Sequence, residues 1–205
     1  MKRKNLRSWL NILIAILVAY GYYLMIFHAE GPLQGNGMRS LKYFTVLSNL
    51  FEGAACIYFL LHSNQETDAF RDVLKYVASC AVTLTLIVVL VFLGPIFGYT
   101  FMFRGANFYF HLLIPLLAIG EFVVFNETKM EKRENGYMML PIFLYGIYYL
   151  GNIALNGIGV FPNKNDWYGF FLFGNIAAVF IIMALFGGDY LIGTLLRKIN
   201  NRMHK

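Results

Sequence analysis

Apolar residues fall into six long runs, at about residues 8–27, 41–62, 72–94, 107–125, 137–155 and 168–195, with short polar or glycine-containing connections between them. Each run reaches the roughly 17–25 residues that a helix needs to cross hydrocarbon. Together they occupy most of the 205 residues. The pattern therefore predicts an all-α, polytopic membrane protein, a single six-helix domain over residues 1–205. Barrel strands are excluded, because the runs lack two-residue alternation and are too long. The first run starts with Lys2, Arg3, Lys4 and Arg7, like a signal peptide, but its apolar part is too long and no small-residue cleavage site follows, so it reads as a retained span. Gly31, Pro32, Gly35 and Gly37 mark an irregular first loop. Gly94 followed by Pro95 should end or kink the third helix. The apolar but broken stretch 96–107 is expected at the outer interface, partly re-entrant, and Trp167 and Tyr168 are read as part of an interfacial aromatic belt.

The second run carries a polar line. Thr45, Ser48, Asn49 and Glu52 fall at i, i+3, i+4 and i+7, on one face of a helix, and Cys56 extends that face. Such a stripe needs neighbours to cover it. With Arg39 and Arg104 taken as outer-surface marks, Thr45 lies six residues inward and His111 seven, so both sit roughly 9–10 Å down at 1.5 Å per residue. Asn175, nine residues past Asp166, comes to about 13 Å by the same arithmetic, and Asn152 and Asn156 reach that layer from the fifth helix. His111 is the one histidine inside an apolar run; His28 and His62 stand at span ends and His204 in the tail. Pro115, four residues on, cannot donate to the His111 carbonyl and should kink the helix, leaving an acceptor for another helix.

A threonine hydroxyl becomes a nucleophile when a base takes its proton during attack, and neutral imidazole suits that role. Thr45 and His111 are thus a candidate catalytic pair for a lipid ester, with Ser48, Asn49, Asn152 and Asn175 as alternative donors to the developing oxyanion. Glu52 lies about 10 Å deeper than Thr45 and is expected to be protonated or hydrogen-bonded within the bundle. Glu121 is expected to reach water near the inner end, and Asp189 to be solvated or paired with Arg197 and Lys198.

Composition agrees: 59% of residues are hydrophobic and 14% charged, against about a quarter charged in soluble domains. Placing the N-terminus, the 63–71 and 127–136 loops and the C-terminus on one side, with Lys75 at the start of the third run counted there too, puts thirteen of the 17 lysines and arginines on that side, leaving Arg39, Lys42, Arg104 and Lys164 opposite. By the positive-inside bias both termini are cytoplasmic. The net charge of +6 then faces anionic headgroups and needs no nucleic-acid partner. Two cysteines, Cys56 and Cys80, build neither a disulfide framework nor a thiolate metal site and read as packing residues. No metal or cofactor is expected.

The strings Lys42-Tyr-Phe-Thr-Val-Leu-Ser-Asn49 and His111-Leu-Leu-Ile-Pro115, with Asp166-Trp-Tyr-Gly169 leading into the sixth run, resemble the androgen-induced and androgen-dependent-regulator family of six-span membrane proteins, in particular its bacterial branch. Characterised animal members are intramembrane threonine hydrolases of fatty acid esters of hydroxy fatty acids, using one threonine and one histidine. By motif match those roles fall on Thr45 and His111, which implies membrane lipids and a lipid ester as partners and a bacterial cytoplasmic membrane as location. An acyltransferase is a close variant, differing in what resolves the acyl-threonine. The competing readings are a small transporter or channel using Glu52, and a non-catalytic scaffold whose polar stripe only packs helices.

Overall fold

Six helices long and apolar enough to cross a membrane occupy the six runs: α1 Arg3–Phe27, α2 Phe44–Leu61, α3 Ala69–Ile96, α4 Gly105–Phe125, α5 Glu134–Asn156 and α6 Asn175–Met203. The computed structural model describes residues 2–28, 37–63, 68–159 and 165–204, and no strand occurs among them. The irregular loop expected around Gly31, Pro32 and Gly35, and the tip of the fifth connection at 160–164, lie outside the described residues.

α3 is the axis of the bundle. Its apolar window is 72% buried, against 17% for α6, and it packs on α2, α4, α5 and α6 while α1 closes on α2 and α4. The sequence explains this position: Ala78, Ser79, Cys80 and Ala81 form a fully buried small-residue run that lets neighbouring helices approach closely. Around the outside, large apolar side chains such as Trp9, Val91, Leu144 and Phe180 are exposed. Such a surface fits lipid tails, where water would make it a liability. Both termini lie at one end: Arg3 donates to the Val124 carbonyl at 3.1 Å, and His204 Nε2 lies 3.3 Å from the Val123 carbonyl.

Proline sets the irregular turns. Pro95 and Pro115 lack an N–H, and in each case the ladder just before them widens to a π-turn, over Val89–Leu93 and Tyr109–Leu113. Gly94 N–H bonds Val89 O and Ile114 N–H bonds Tyr109 O, five residues back. The next carbonyls, of Leu90 and Phe110, thereby lose both possible helical donors. Each is satisfied by a side chain instead: Tyr99 Oη donates to Leu90 O at 3.0 Å, and Asn49 Nδ2 to Phe110 O at 3.0 Å. The irregularity near His111 takes the form of this π-turn, and the free acceptor is the carbonyl one residue earlier than expected, that of Phe110.

α6 begins later than the apolar run. Gly169 and Gly174 adopt φ of 71° and 89°, a left-handed region open to glycine. They bracket a short 3-10 turn, Phe170–Phe173, so Asn175 is the first residue of α6 and is exposed. The depth assigned to Asn175 from Asp166 is therefore wrong.

The charged residues also depart from expectation. Lys75, Arg7 and Arg71, counted above with the loops, are buried, Lys75 completely. Lys75 Nζ pairs with Glu52 Oε1, and lies 3.4 Å from Glu121 Oε2 and 3.1 Å from Cys56 Sγ. Glu121, expected in water, is 0% exposed and accepts from Arg7 Nε at 2.7 Å and Asn11 Nδ2 at 3.1 Å. α1, α2 and α4 thus each contribute one charged residue, Arg7, Glu52 and Glu121, and α3 contributes Lys75, Asp72 and Arg71, to a single enclosed cluster. Enclosure is tolerable because the charges are paired with opposite charges and hydrogen bonds. Asp189 is likewise buried, at 1% exposure; its Oδ1 has no hydrogen-bond partner, and Arg197 turns to Asn135 Oδ1 instead, at 3.0 Å.

Candidate active site

The polar line on α2 finds its neighbours one turn at a time. Deepest, Glu52 meets Lys75 of α3. One turn up, Asn49 spends both hydrogens of its amide, donating to Thr45 O at 2.7 Å and to Phe110 O at 3.0 Å. Ser48 Oγ donates to Thr45 O at 3.1 Å and lies 3.0 Å from Thr85 Oγ1 of α3. At the top Thr45, with its hydroxyl close to the start of α2, faces a small cavity of about 10 Å³, room for one water-sized group.

His111 lines the same cavity, together with Asn107 from α4 and Tyr168 from the turn before α6. The π-turn inserts one extra residue ahead of Pro115, and each residue turns a helix by about 100°, which re-aims the imidazole relative to an unbroken ladder. The ring is 5% exposed and packs edge-on against Phe101 with centroids 5.9 Å apart. Its Nδ1 is buried with no hydrogen-bond partner. The hydroxyl and the imidazole share a cavity and are not hydrogen-bonded to each other. Phe110, the preceding residue, is seated against Gly21 of α1, where a Cβ would lie 2.6 Å from Phe110 Cε1, so only glycine admits the ring there.

Asn49 ties this geometry together. Its amide bonds the carbonyl of the candidate nucleophile on α2 and the carbonyl adjoining the candidate base on α4. Asn49→Ala should leave Phe110 O buried and unpaired, a loss of about 1–3 kcal/mol, seen as a lower thermal midpoint. Any reactivity of Thr45 should fall with it, because the register between α2 and α4 loosens.

Tyr168 belongs to the site and not to an outer belt: Trp167 and Tyr168 are 3% and 6% exposed. Asp166 builds the turn that places them. Its carboxylate accepts from the Tyr149 hydroxyl and from the Phe170 and Phe171 amides at 2.9 Å each, and Gly169 closes the turn with its positive φ. Trp167 Nε1 donates to Tyr145 Oη at 2.9 Å, which donates to Lys42 O at 2.7 Å. The Tyr168 hydroxyl accepts from the Phe44 amide at 2.7 Å, satisfying an N–H that the start of a helix leaves unpaired, and sits beside the Thr45 amide and hydroxyl. Burial pushes its phenol up to about 12, its hydrogen-bonding contact with Tyr145 and the hydrogen bonds from the Phe44 and Thr45 amides opposing the rise.

Thr45, Leu93 and Tyr168 also border a second cavity of about 60 Å³, lined almost wholly by apolar side chains of α3, α5 and α6. Phe44 and Tyr145 form the wall between it and an apolar groove of about 610 Å³ that runs along α2, α3 and α5, from Phe70 and Tyr137 up to Tyr148. The small pocket that carries Thr45, Asn107, His111 and Tyr168 therefore adjoins apolar space across Thr45, Leu93 and Tyr168.

The other expected donors do not meet here. Ser48 and Asn49 are buried near Thr45 but directed at carbonyls and Thr85. Asn152 accepts from Asn156 Nδ2 at 3.0 Å on α5, and neither Asn152 nor Asn175 lines the cavity. Asn107 and Tyr168 do, and were not singled out from sequence. Asn107 is three residues from Arg104, at a depth the same helical arithmetic could have tested; nothing local marks Tyr168. Among the described residues no group of three His, Cys, Asp or Glu side chains is placed to hold a metal ion. Compared with protein-family models, with curated proteins and with solved structures, the chain has no match.

Proposed function

We propose that this protein is an integral-membrane hydrolase of lipid esters, with Thr45 as nucleophile and His111 as general base, of the kind its helix-two and helix-four motifs resemble. The observation carrying this reading is that Thr45 and His111, from separate helices, line one small cavity, and that His111 Nδ1 is buried without a hydrogen-bond partner. Neutral imidazole takes the Thr45 proton as Oγ1 attacks the ester carbonyl. Collapse of the tetrahedral adduct breaks the ester C–O bond; the alkoxide leaves as an alcohol with the proton from His111, and the acyl group stays on Thr45. Water then attacks the acyl-threonine, giving up a proton to His111; the acyl C–Oγ1 bond breaks, Oγ1 takes that proton back from His111, and the carboxylic acid departs. Thr45 lies at the border of the apolar cavity, so an acyl chain has apolar space next to the reacting carbonyl. On the positive-inside reading this chemistry faces the outer leaflet.

Tyr168 replaces the earlier oxyanion candidates. Its oxygen accepts from Phe44, leaving its own O–H to donate, and it stays protonated well above neutrality because its phenol titrates near 12. Raised above the ordinary value of 10, this group favours the folded state fully below pH 10 and loses that contribution as pH climbs through 12. Hydrolysis should accordingly show no alkaline decline from Tyr168 below about pH 10. Tyr168→Phe keeps the ring stacked on Phe170, 5.2 Å between centroids, and removes the donor. The expected result is a fall in kcat of about 10²–10³ with KM little changed; an unchanged kcat removes Tyr168 from the mechanism. The test of the whole reading is hydrolysis of long-chain esters by the purified chain in detergent, with Thr45→Ala and His111→Ala as controls. The transporter alternative would work through Glu52, which is held between Lys75 and Cys56, and predicts Glu52-dependent flux in proteoliposomes.

A further inference from the structure

The apolar groove beside the candidate site is much longer than it is wide. On α5 it runs from Tyr137 to Tyr148, about 16 Å at the helical rise. A volume of about 610 Å³ over that length leaves it about 6–7 Å across, too narrow for a helix of about 10–12 Å. Leu47, Phe51, Val73, Val77, Leu140 and Leu144 line it. Its polar groups are engaged or stand at its ends. Ser48 Oγ is turned to Thr45 O and Thr85 Oγ1, and Tyr145 Oη accepts from Trp167 and donates to Lys42 O. Tyr137 and Tyr148 mark the two ends, half exposed. All three helices are long and apolar enough to span a membrane, so the groove faces hydrocarbon. Lipid tails are as apolar as its walls, and fit with dispersion contact decides what stays in it.

The groove also abuts the reacting pocket. Phe44 and Tyr145 belong both to its wall and to that of the cavity of about 60 Å³ that Thr45 borders. Tyr145 is pinned through its hydroxyl. The Phe44 ring, on the first residue of α2, has no polar anchor and lies 5.2 Å from the Tyr145 ring between centroids. Phe44 is therefore the movable part of the wall. A chain anchored at Thr45 has to turn past it, which a flexible alkyl chain does and a fused ring system does not.

We infer that this groove binds one linear acyl chain and, in a second part that rests on the Thr45 and His111 reading, that this is the acyl chain of the ester under attack.

The test uses the full chain in a detergent with a fluorinated tail, which competes poorly with alkyl chains. Palmitic acid bearing a diazirine near its methyl end is photocrosslinked and its adducts are mapped by peptide, while hydrolysis of p-nitrophenyl palmitate and p-nitrophenyl butyrate is followed in parallel. Leu140→Trp and Leu144→Trp place a bulky ring in the groove from exposed positions, and an unshifted thermal midpoint shows that each folds. The expected result is saturable adducts on the lining segments of α2, α3 and α5, displaced by unlabelled palmitate. In the Trp variants half-saturation should rise about tenfold, and the palmitate-to-butyrate ratio of kcat/KM should fall about tenfold. Adducts in the groove without hydrolysis of either ester would keep the chain site and remove the Thr45 reading. Hydrolysis with non-saturable adducts spread over the lipid-facing surface, or with both Trp variants unaltered, would overturn the groove and leave that reading standing. Displacement by cholesteryl hemisuccinate but not by palmitate would make the occupant a sterol and overturn the inference.

Discussion

Thr45→Ala is expected to abolish ester hydrolysis and fluorophosphonate labelling together, a loss of about 10⁴-fold or more, while the helix content and thermal midpoint stay close to those of the original protein. The two readouts separate because of how Thr45 is held. Its carbonyl accepts from Asn49 and Ser48, and alanine keeps both bonds; what alanine removes is the hydroxyl beside Tyr168. Thr45 lines the cavity. Thr45→Ser restores a hydroxyl on the same backbone and should recover activity to within about tenfold, the cost being a freer rotamer. His111→Ala should be nearly as damaging as Thr45→Ala, and the double variant no worse than either single one, because a nucleophile and its base act as a unit. Additive losses would mean that the two residues act separately, and a scaffold role predicts lost stability with no activity to lose.

The second large effect concerns the fold. Lys75→Met should destabilise the protein by about 3–5 kcal/mol, since it strands Glu52 and Glu121 in an enclosed site with one fewer cation. Both carboxylates are 0% exposed, so water cannot compensate. The pair Lys75→Met, Glu52→Gln should be more stable than Lys75→Met alone, because the second change removes one stranded charge. Thermal midpoints of the two singles and the double give the coupling directly. If Lys75→Met were harmless, the cluster would not be holding α2, α3 and α4 together.

The six helices were legible because a bilayer imposes a length and a composition on each span. α2, α3 and α4 lie within a few residues of their apolar runs for that reason. The meeting of Thr45 with His111 was legible through depth alone: constant rise per residue and short connections put both at one level. What depth could not supply was lateral position, and there the reading failed for Asn152. The start of α6 failed differently, since Phe170–Phe173 is apolar enough to pass for helix and only the positive φ of Gly169 and Gly174 breaks it. Asn49 read as one of four possible donors; its actual partner exists because Pro115 displaces a π-turn and orphans Phe110 O, a consequence of helix geometry that requires knowing which helix stands opposite. The enclosed cluster was closer to hand than it seemed. Glu52 lies nine residues from Leu61, Lys75 six from Ala69 and Glu121 four from Phe125, a spread of about 7 Å in depth that long charged side chains can bridge, looser than the match between Thr45 and His111. The cluster was passed over because Lys75 fell within the apolar run while being counted with a loop.

The proposal rests on one atom, the Thr45 oxygen, being made nucleophilic in a pocket that opens toward apolar space. The most direct measurement is peptide mapping of the intact protein after reaction with a fluorophosphonate, locating the residue that carries the adduct. A single phosphonylated site at Thr45, lost in His111→Ala, is the predicted outcome. An adduct on any other side chain, or none from a folded sample, would contradict it.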